Sequence, residues 1–228
     1  MNPVLALVAL AIVGGAVVVV AARDTRTVVL ALAVTLVASP LLADPLASPL
    51  GLAARLVGTI LATYLLSVVA RAPRDAFGSA GAGTLASPTG GSRIGWPAEM
   101  LVAASAAVVG YAAHGLGAQA GGPPLASAAG FAVAALAVAP VASGRDVIRV
   151  GTGSLLLIDS ALLVRTALGG TAGDVEQLVT AALLVVLAGT VAALAATARA
   201  DGSGGYALAD MERLRLRREP DAHPLDQT

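Results

Sequence analysis

"SLLLIDSALLVRTAL", residues 154–168, decides what kind of chain this is. Apart from Asp159 and Arg165, every side chain in it is one that lipid accepts: Leu, Ile, Val, Ala, Ser or Thr. Extended toward its N-terminal side, the run is long enough to cross a bilayer as a helix, which needs about 20 residues. Asp159 then falls about ten residues from either end of that helix. At about 1.5 Å of rise per residue this is near the midplane. An acid at that depth costs roughly 2.5–3.5 kcal/mol on insertion scales, so it demands a partner or a function.

The rest of the chain is built the same way. Of 228 residues, 57% are hydrophobic and only 12% charged, with a mean hydropathy of +0.85. So few polar groups could not cover the surface of a water-soluble domain of this size. Aromatics are 3%, which leaves Ala, Val, Leu and Gly to do the packing, as in close-packed membrane helices. The sequence predicts an all-α, polytopic membrane helix bundle with about seven transmembrane helices, over roughly 3–22, 27–43, 49–70, 96–115, 125–142, 149–168 and 176–198. The first of these lacks a basic leader and a cleavage site, and is read as a retained helix.

All fourteen basic residues are Arg, and their placement predicts the orientation. With the N-terminus outside, the inner loops and tail hold Arg23, Arg26, Arg71, Arg74, Arg93, Arg145, Arg149, Arg199, Arg213, Arg215, Arg217 and Arg218. The outer loops near Asp44, at 116–124 and at 169–175 hold none. This asymmetry predicts an N-terminus out and a C-terminus in. Four segments follow: a three-helix membrane segment (1–72), a Gly/Ser-rich cytoplasmic connector (73–95), a four-helix membrane segment (96–200) and a cytoplasmic tail (201–228). The connector contains "FGSAGAGTLASPTGGS" (77–92), a composition that resists packing. In the tail, "YALADMERLRLRR" (206–218) spaces Leu208, Met211 and Leu214 as an amphipathic surface helix.

Candidate functional groups are the polar residues inside the spans. Thr152 and Thr166 lie seven residues to either side of Asp159, on one helix face. The line Thr152–Asp159–Thr166 is a candidate proton-transfer path, with Asp159 as the titrating group; the structural alternative is an Asp bonded to a neighbouring helix. Arg55 lies about two turns into the third span. It either snorkels outward or faces inward, where its charge tunes Asp159. Thr59, Thr63 and Ser67 continue from it at i+4 steps, as a hydroxyl ladder or as side chains bonded to their own backbone. Weaker polar candidates are Glu99, which complements the dipole at a helix start, His114 near a helix end, and Glu176, which opens the last helix. Arg165 anchors the outer end of the sixth.

Other chemistries find no residues to carry them. There is no Cys, hence no thiolate ligand, disulfide or thiol nucleophile. P-loop, HExxH and CxxC patterns are missing, and "GTG" (151–153) opens a membrane helix rather than a dinucleotide turn. Two histidines do not make a metal or haem site. The arginines follow membrane topology, not a nucleic-acid surface. No metal, cofactor or catalytic residue is expected in this chain.

From about residue 125 onward, "SGRDVIRVGTGSLLLIDSALLV", "GGTAGDVEQLVTAALLVVLAGTVAALAATAR" and "GGYALADMERLRL" resemble component E of hydrogenase-4, a membrane subunit of formate-hydrogenlyase-type complexes. The C-terminal helices are similar to subunit K of complex I. The family's central carboxylate is typically Glu where this chain has Asp159, and residues 125–142 carry no charge. The resemblance implies a non-catalytic subunit in a bacterial or archaeal inner membrane. Its neighbours would be antiporter-like and other membrane-arm subunits, with cytoplasmic hydrogenase-like and iron–sulfur subunits holding the nickel–iron (NiFe) centre and the clusters. A structural scaffold subunit is the alternative. A stand-alone transporter is disfavoured because no inverted repeat with broken helices is visible.

Overall fold

A computed structural model describes residues 3–22, 24–43, 46–71, 96–114, 121–143 and 147–200. Seven α-helices follow one another: α1 (Pro3–Ala21), α2 (Thr25–Ala38), α3 (Pro49–Arg71), α4 (Trp96–Ala113), α5 (Pro124–Ser143), α6 (Val147–Gly169) and α7 (Asp174–Ala200). A short 3-10 turn, Ser39–Leu42, continues α2. The described residues contain no strand. The all-α membrane bundle is therefore the architecture. Six of the helices are long and apolar enough to cross a bilayer, while the apolar part of α4, Pro97–Ala113, is shorter. The expected connector, the tail helix at 206–218, and Arg23, Asp44, Arg74, Arg93 and Arg145 lie outside the described residues.

Local chemistry sets the helix starts. Asp24 caps α2, its carboxylate accepting from the Thr27 amide at 3.4 Å and the Thr27 hydroxyl at 3.2 Å, which satisfies N–H groups that the first turn cannot bond internally. Ser48 does the same for α3, accepting from Gly51 N–H at 3.0 Å, with Pro49 in the first helical position where its missing N–H is harmless. The Ser48 hydroxyl also donates to the carboxylate of Asp174, the first residue of α7. The N-termini of α3 and α7 thus sit together, and the two helices run parallel.

Lipid gives helices no hydrophobic reason to associate, so close van der Waals approach must hold them. Small residues supply it. A Cβ on Gly58 of α3 would stand 2.7 Å from the Cβ of Ala181 on α7. On α5, Gly130 takes Val164 and Leu163 of α6, and at the far end of the same pair Gly153 of α6 takes Pro140 and Val141. Pro140 lies inside α5, and the approach of Gly153 brings α6 against the Ala137 carbonyl in that turn. α3 packs chiefly on α7 and α1 on α2 and α5. Helices before and after the connector therefore share one core, running from Ile12 and Leu32 to Leu155 and Leu184.

Two ends of the bundle can be named. At the α6–α7 end lie the turn after α2, the start of α3 and residues 121–122, whose amides bond the Leu168 and Ala167 carbonyls of α6 at 3.1 and 3.2 Å. These bonds satisfy carbonyls that the last turn of α6 leaves open. At the α1–α2 end, Arg149 at the start of α6 donates to the Ala22 carbonyl at 3.3 Å. Arg71, the last residue of α3, ends a helix that starts at the opposite end and so belongs here too.

Candidate functional site

The buried face of α6 repeats every three or four residues: Thr152, Leu155, Leu156, Asp159, Leu163 and Ala167. This is the spacing of one helix face, and Asp159 is its central member with no exposed surface. α3 buries an equivalent stripe, Gly51, Arg55, Gly58, Thr59, Ala62, Leu66 and Val69. From this stripe, which packs chiefly on α7, the long side chain of Arg55 reaches α6, and its Nη2 donates to Asp159 Oδ1 at 2.7 Å. The outward reading of Arg55 is thereby set aside. Its side chain turns into the protein and is 1% exposed. The gain from pairing with Asp159 outweighs the ease of reaching water from six residues inside the helix, because an isolated buried carboxylate is the costlier outcome.

A third group completes the cluster. Ser39, in the first position after α2, places its hydroxyl 2.7 Å from the same Oδ1 and 3.2 Å from the Leu36 carbonyl. A hydroxyl has one proton, and the shorter, charge-assisted contact is the stronger. Three helical segments thus converge on one oxygen. The opposite atoms are left over: neither Asp159 Oδ2 nor Arg55 Nη1 has a hydrogen-bond partner among the described residues, and both are buried. Ser39 was not among the residues singled out from the sequence. Its signal was there, in "SPLL", a Ser–Pro break inside an apolar run.

Beside the pair, a cavity of about 20 Å³ is lined by Ser39, Pro40, Arg55, Leu162, Leu163, Thr166, Ala172 and Gln177. Thr166 therefore belongs to the surroundings of the ion pair, on its α6–α7 side. Thr152 does not. It is buried, but its hydroxyl donates to the Arg149 carbonyl of its own helix at 3.1 Å, and Leu155 and Leu156, both without exposed surface, stand between it and Asp159. The described side chains form no continuous polar line along α6.

The remaining candidates scatter. Thr59 is buried with its hydroxyl unpartnered, one turn from Arg55. Thr63 donates to the Thr59 carbonyl at 2.8 Å and Ser67 to that of Tyr64 at 2.8 Å, so these hydroxyls serve their own backbone and form no ladder. Glu99 lies in the first turn of α4, buried, with neither oxygen bonded to a described residue. His114 follows α4 in a turn, its amide bonded to the Tyr111 carbonyl at 3.3 Å. Glu176 meets Arg165 at 2.6 Å, tying α6 to α7 across their turn. Both side chains of that pair are a third or more exposed, so it contributes at most about 1 kcal/mol. Groups of three or more His, Asp or Glu able to hold a metal ion do not occur among the described residues.

No family model, curated protein or solved structure matches this chain.

Proposed function

We propose that this chain is a non-catalytic integral membrane subunit of a hydrogenase-4-like, complex I-related respiratory assembly, and that it supports proton translocation or its coupling to electron transfer. The observation that carries the reading is the buried Arg55–Asp159–Ser39 cluster at the middle of α6. Its chemistry suits reversible protonation. Oδ1 accepts from both Arg55 and Ser39 while Oδ2 is uncommitted, so a proton can add to Oδ2 without first breaking the pair. Protonation weakens the attraction to Arg55, and the charge state of Asp159 becomes a mechanical signal between α6 and α3. The sequence likeness over the last hundred or so residues supplies the expected company: antiporter-like membrane subunits, and cytoplasmic hydrogenase-like and iron–sulfur subunits carrying the NiFe centre. The bundle's gathering of Arg71 and Arg149 at one end supports an inner face there, with the N-terminus out and the C-terminus in.

A scaffold role has one observation on its side: the acid's charge is balanced within the chain, as a clasp between α3 and α6 requires. Two measurements separate the readings. Gentle detergent purification followed by mass spectrometry should recover a nickel–iron hydrogenase-like large subunit and an antiporter-like subunit; isolation as a lone protein overturns membership of such a complex. In the recovered complex, the charge-balanced double variant Arg55→Gln/Asp159→Asn should assemble and lose proton translocation. Unchanged translocation at normal complex levels leaves the scaffold.

A further inference from the structure

We infer that the cavity beside Arg55 is a water site that opens the Arg55–Asp159 pair to the α6–α7 end of the bundle alone, the α1–α2 end being closed to water. This deepens the proton-transfer reading and rests on it for its purpose, though not for its geometry.

Size and lining both point to water. A cavity must offer about 10–15 Å³ to hold one molecule, and that molecule needs two to four polar partners. The space here is about 20 Å³, and four of its eight lining residues, Ser39, Arg55, Thr166 and Gln177, carry hydrogen-bonding side chains. Arg55 Nη1 is a buried donor with no partner among the described residues, and a donor so placed is costly unless something accepts from it. The other lining residues lead away from the pair in one direction. Thr166 is one helical turn from the end of α6, Ala172 lies in the turn to α7, and Gln177 lies in the first turn of α7.

On the other side of Asp159 the same helix face is dry. Leu155 and Leu156 have no exposed surface, and neither do Val133 and Ala137 of α5. Gly153 is pressed against Pro140 and Val141. The next hydroxyl on this face, Thr152, is committed to its own backbone, and on α3 the unpartnered Thr59 hydroxyl is followed toward the α1–α2 end by the buried Ala62 and Leu66. Asp159 itself does not line the cavity; Ser39 does and donates to its Oδ1. A proton from that water therefore arrives from the α6–α7 end by way of the Ser39 hydroxyl, which passes on its own proton and takes one from the water. Movement onward requires the α1–α2 side to rearrange.

The chain has no cysteine, so an introduced cysteine is its only thiol, and its reaction is read by mass spectrometry on this chain's own peptides, apart from the cysteines of partner subunits. Only a thiol in contact with water ionises readily and reacts, and silver ion, close to water in size, is the probe. Thr166→Cys and Gln177→Cys are placed in the assembled complex in sealed vesicles of both orientations. Gly173→Cys, exposed and with open space around its Cβ, marks with a bulky impermeant reagent which face carries the α6–α7 turn. Silver should consume the thiols at 166 and 177 from that face only. Leu156→Cys and Ala137→Cys should keep theirs from both faces until the protein is denatured. Protection of both 166 and 177, or reaction at 156 or 137 from the other face, overturns the inference. If the silver pattern holds while Arg55→Gln/Asp159→Asn still translocates protons, one-sided water access stands and the proton-transfer reading falls.

Discussion

Arg55 and Asp159 lie 104 residues apart in sequence and 2.7 Å apart in space, each among the most deeply buried side chains of the protein. Taking two charges out of water costs several kcal/mol each, and their attraction offsets this only while both are present. Asp159→Asn is therefore not an innocuous neutralisation, since it leaves Arg55 charged and unpaired. Either Asp159→Asn or Arg55→Gln should destabilise the fold by about 3–5 kcal/mol, read as loss of folded protein in SDS-titrated detergent. The double variant should recover most of that loss. A double variant whose loss is the sum of the two single losses would show the side chains to be energetically independent.

Ser39→Ala removes the second donor to Oδ1. A hydrogen bond to a charged group contributes about 1.5–3 kcal/mol, and the loss should appear in the same titration. It should largely vanish when Asp159 is already Asn, because the bond then joins two neutral groups. A Ser39→Ala effect that is the same in both backgrounds would place its origin in the local turn.

Gly58→Leu should separate α3 from α7. Ala181 leaves no room for even a Cβ, and the backbones rather than a flexible side chain must give way. Expected is a loss of about 1–3 kcal/mol or more from overpacking, with a lower unfolding temperature. Gly14→Leu, where a Cβ meets nothing within 4 Å, is the matched control and should be tolerated.

Asp24 gives a pH dependence outside the membrane spans. Slight desolvation pushes its carboxyl up, but hydrogen bonds from the Arg26 and Thr27 amides and the Thr27 hydroxyl, with the Arg26 charge, hold it below its ordinary value. A carboxyl lowered on folding stabilises the fold above its unfolded pKa, and that contribution disappears as pH falls through the folded one. Stability in acid should therefore decline less steeply in Asp24→Asn than in the parent, in unfolding titrations through the acidic range. Parallel curves would contradict the cap.

How far the sequence reached can be judged at particular residues. Long apolar runs have one physical solution in lipid, so the helices and the fold class were legible. Asp159 was legible too, because a midspan acid is costly and therefore rare. Its partner was not. Arg55 at six residues from a helix start is chemically consistent with facing either way, and only the packing of α3 on α7 and α2 turns it inward. The Ser–Pro break at Ser39 marks a turn but not its partner, and the bonds of Ser39 to Asp159 and of Ser48 to Asp174 span more than a hundred residues, which no local pattern encodes. The interruption of the Thr152–Asp159–Thr166 line was hidden for a different reason: seven-residue spacing gives the face but says nothing of the leucines that fill it.

The long sequence separation of the pair also has a meaning in time. A ribosome working at about 5–20 residues per second adds Arg55 roughly 5–20 s before Asp159. During that interval Arg55 lacks the partner it has in the folded protein. Its shallow place in α3, with a side chain long enough to reach the lipid headgroups, lets the helix insert and wait before the carboxylate draws the guanidinium inward. A nascent chain stopped at residue 158 should accordingly keep position 55 open to water-borne reagents, and one carried through α7 should close it. The ion pair is then a late event of biogenesis, a latch that shuts when the sixth helix arrives.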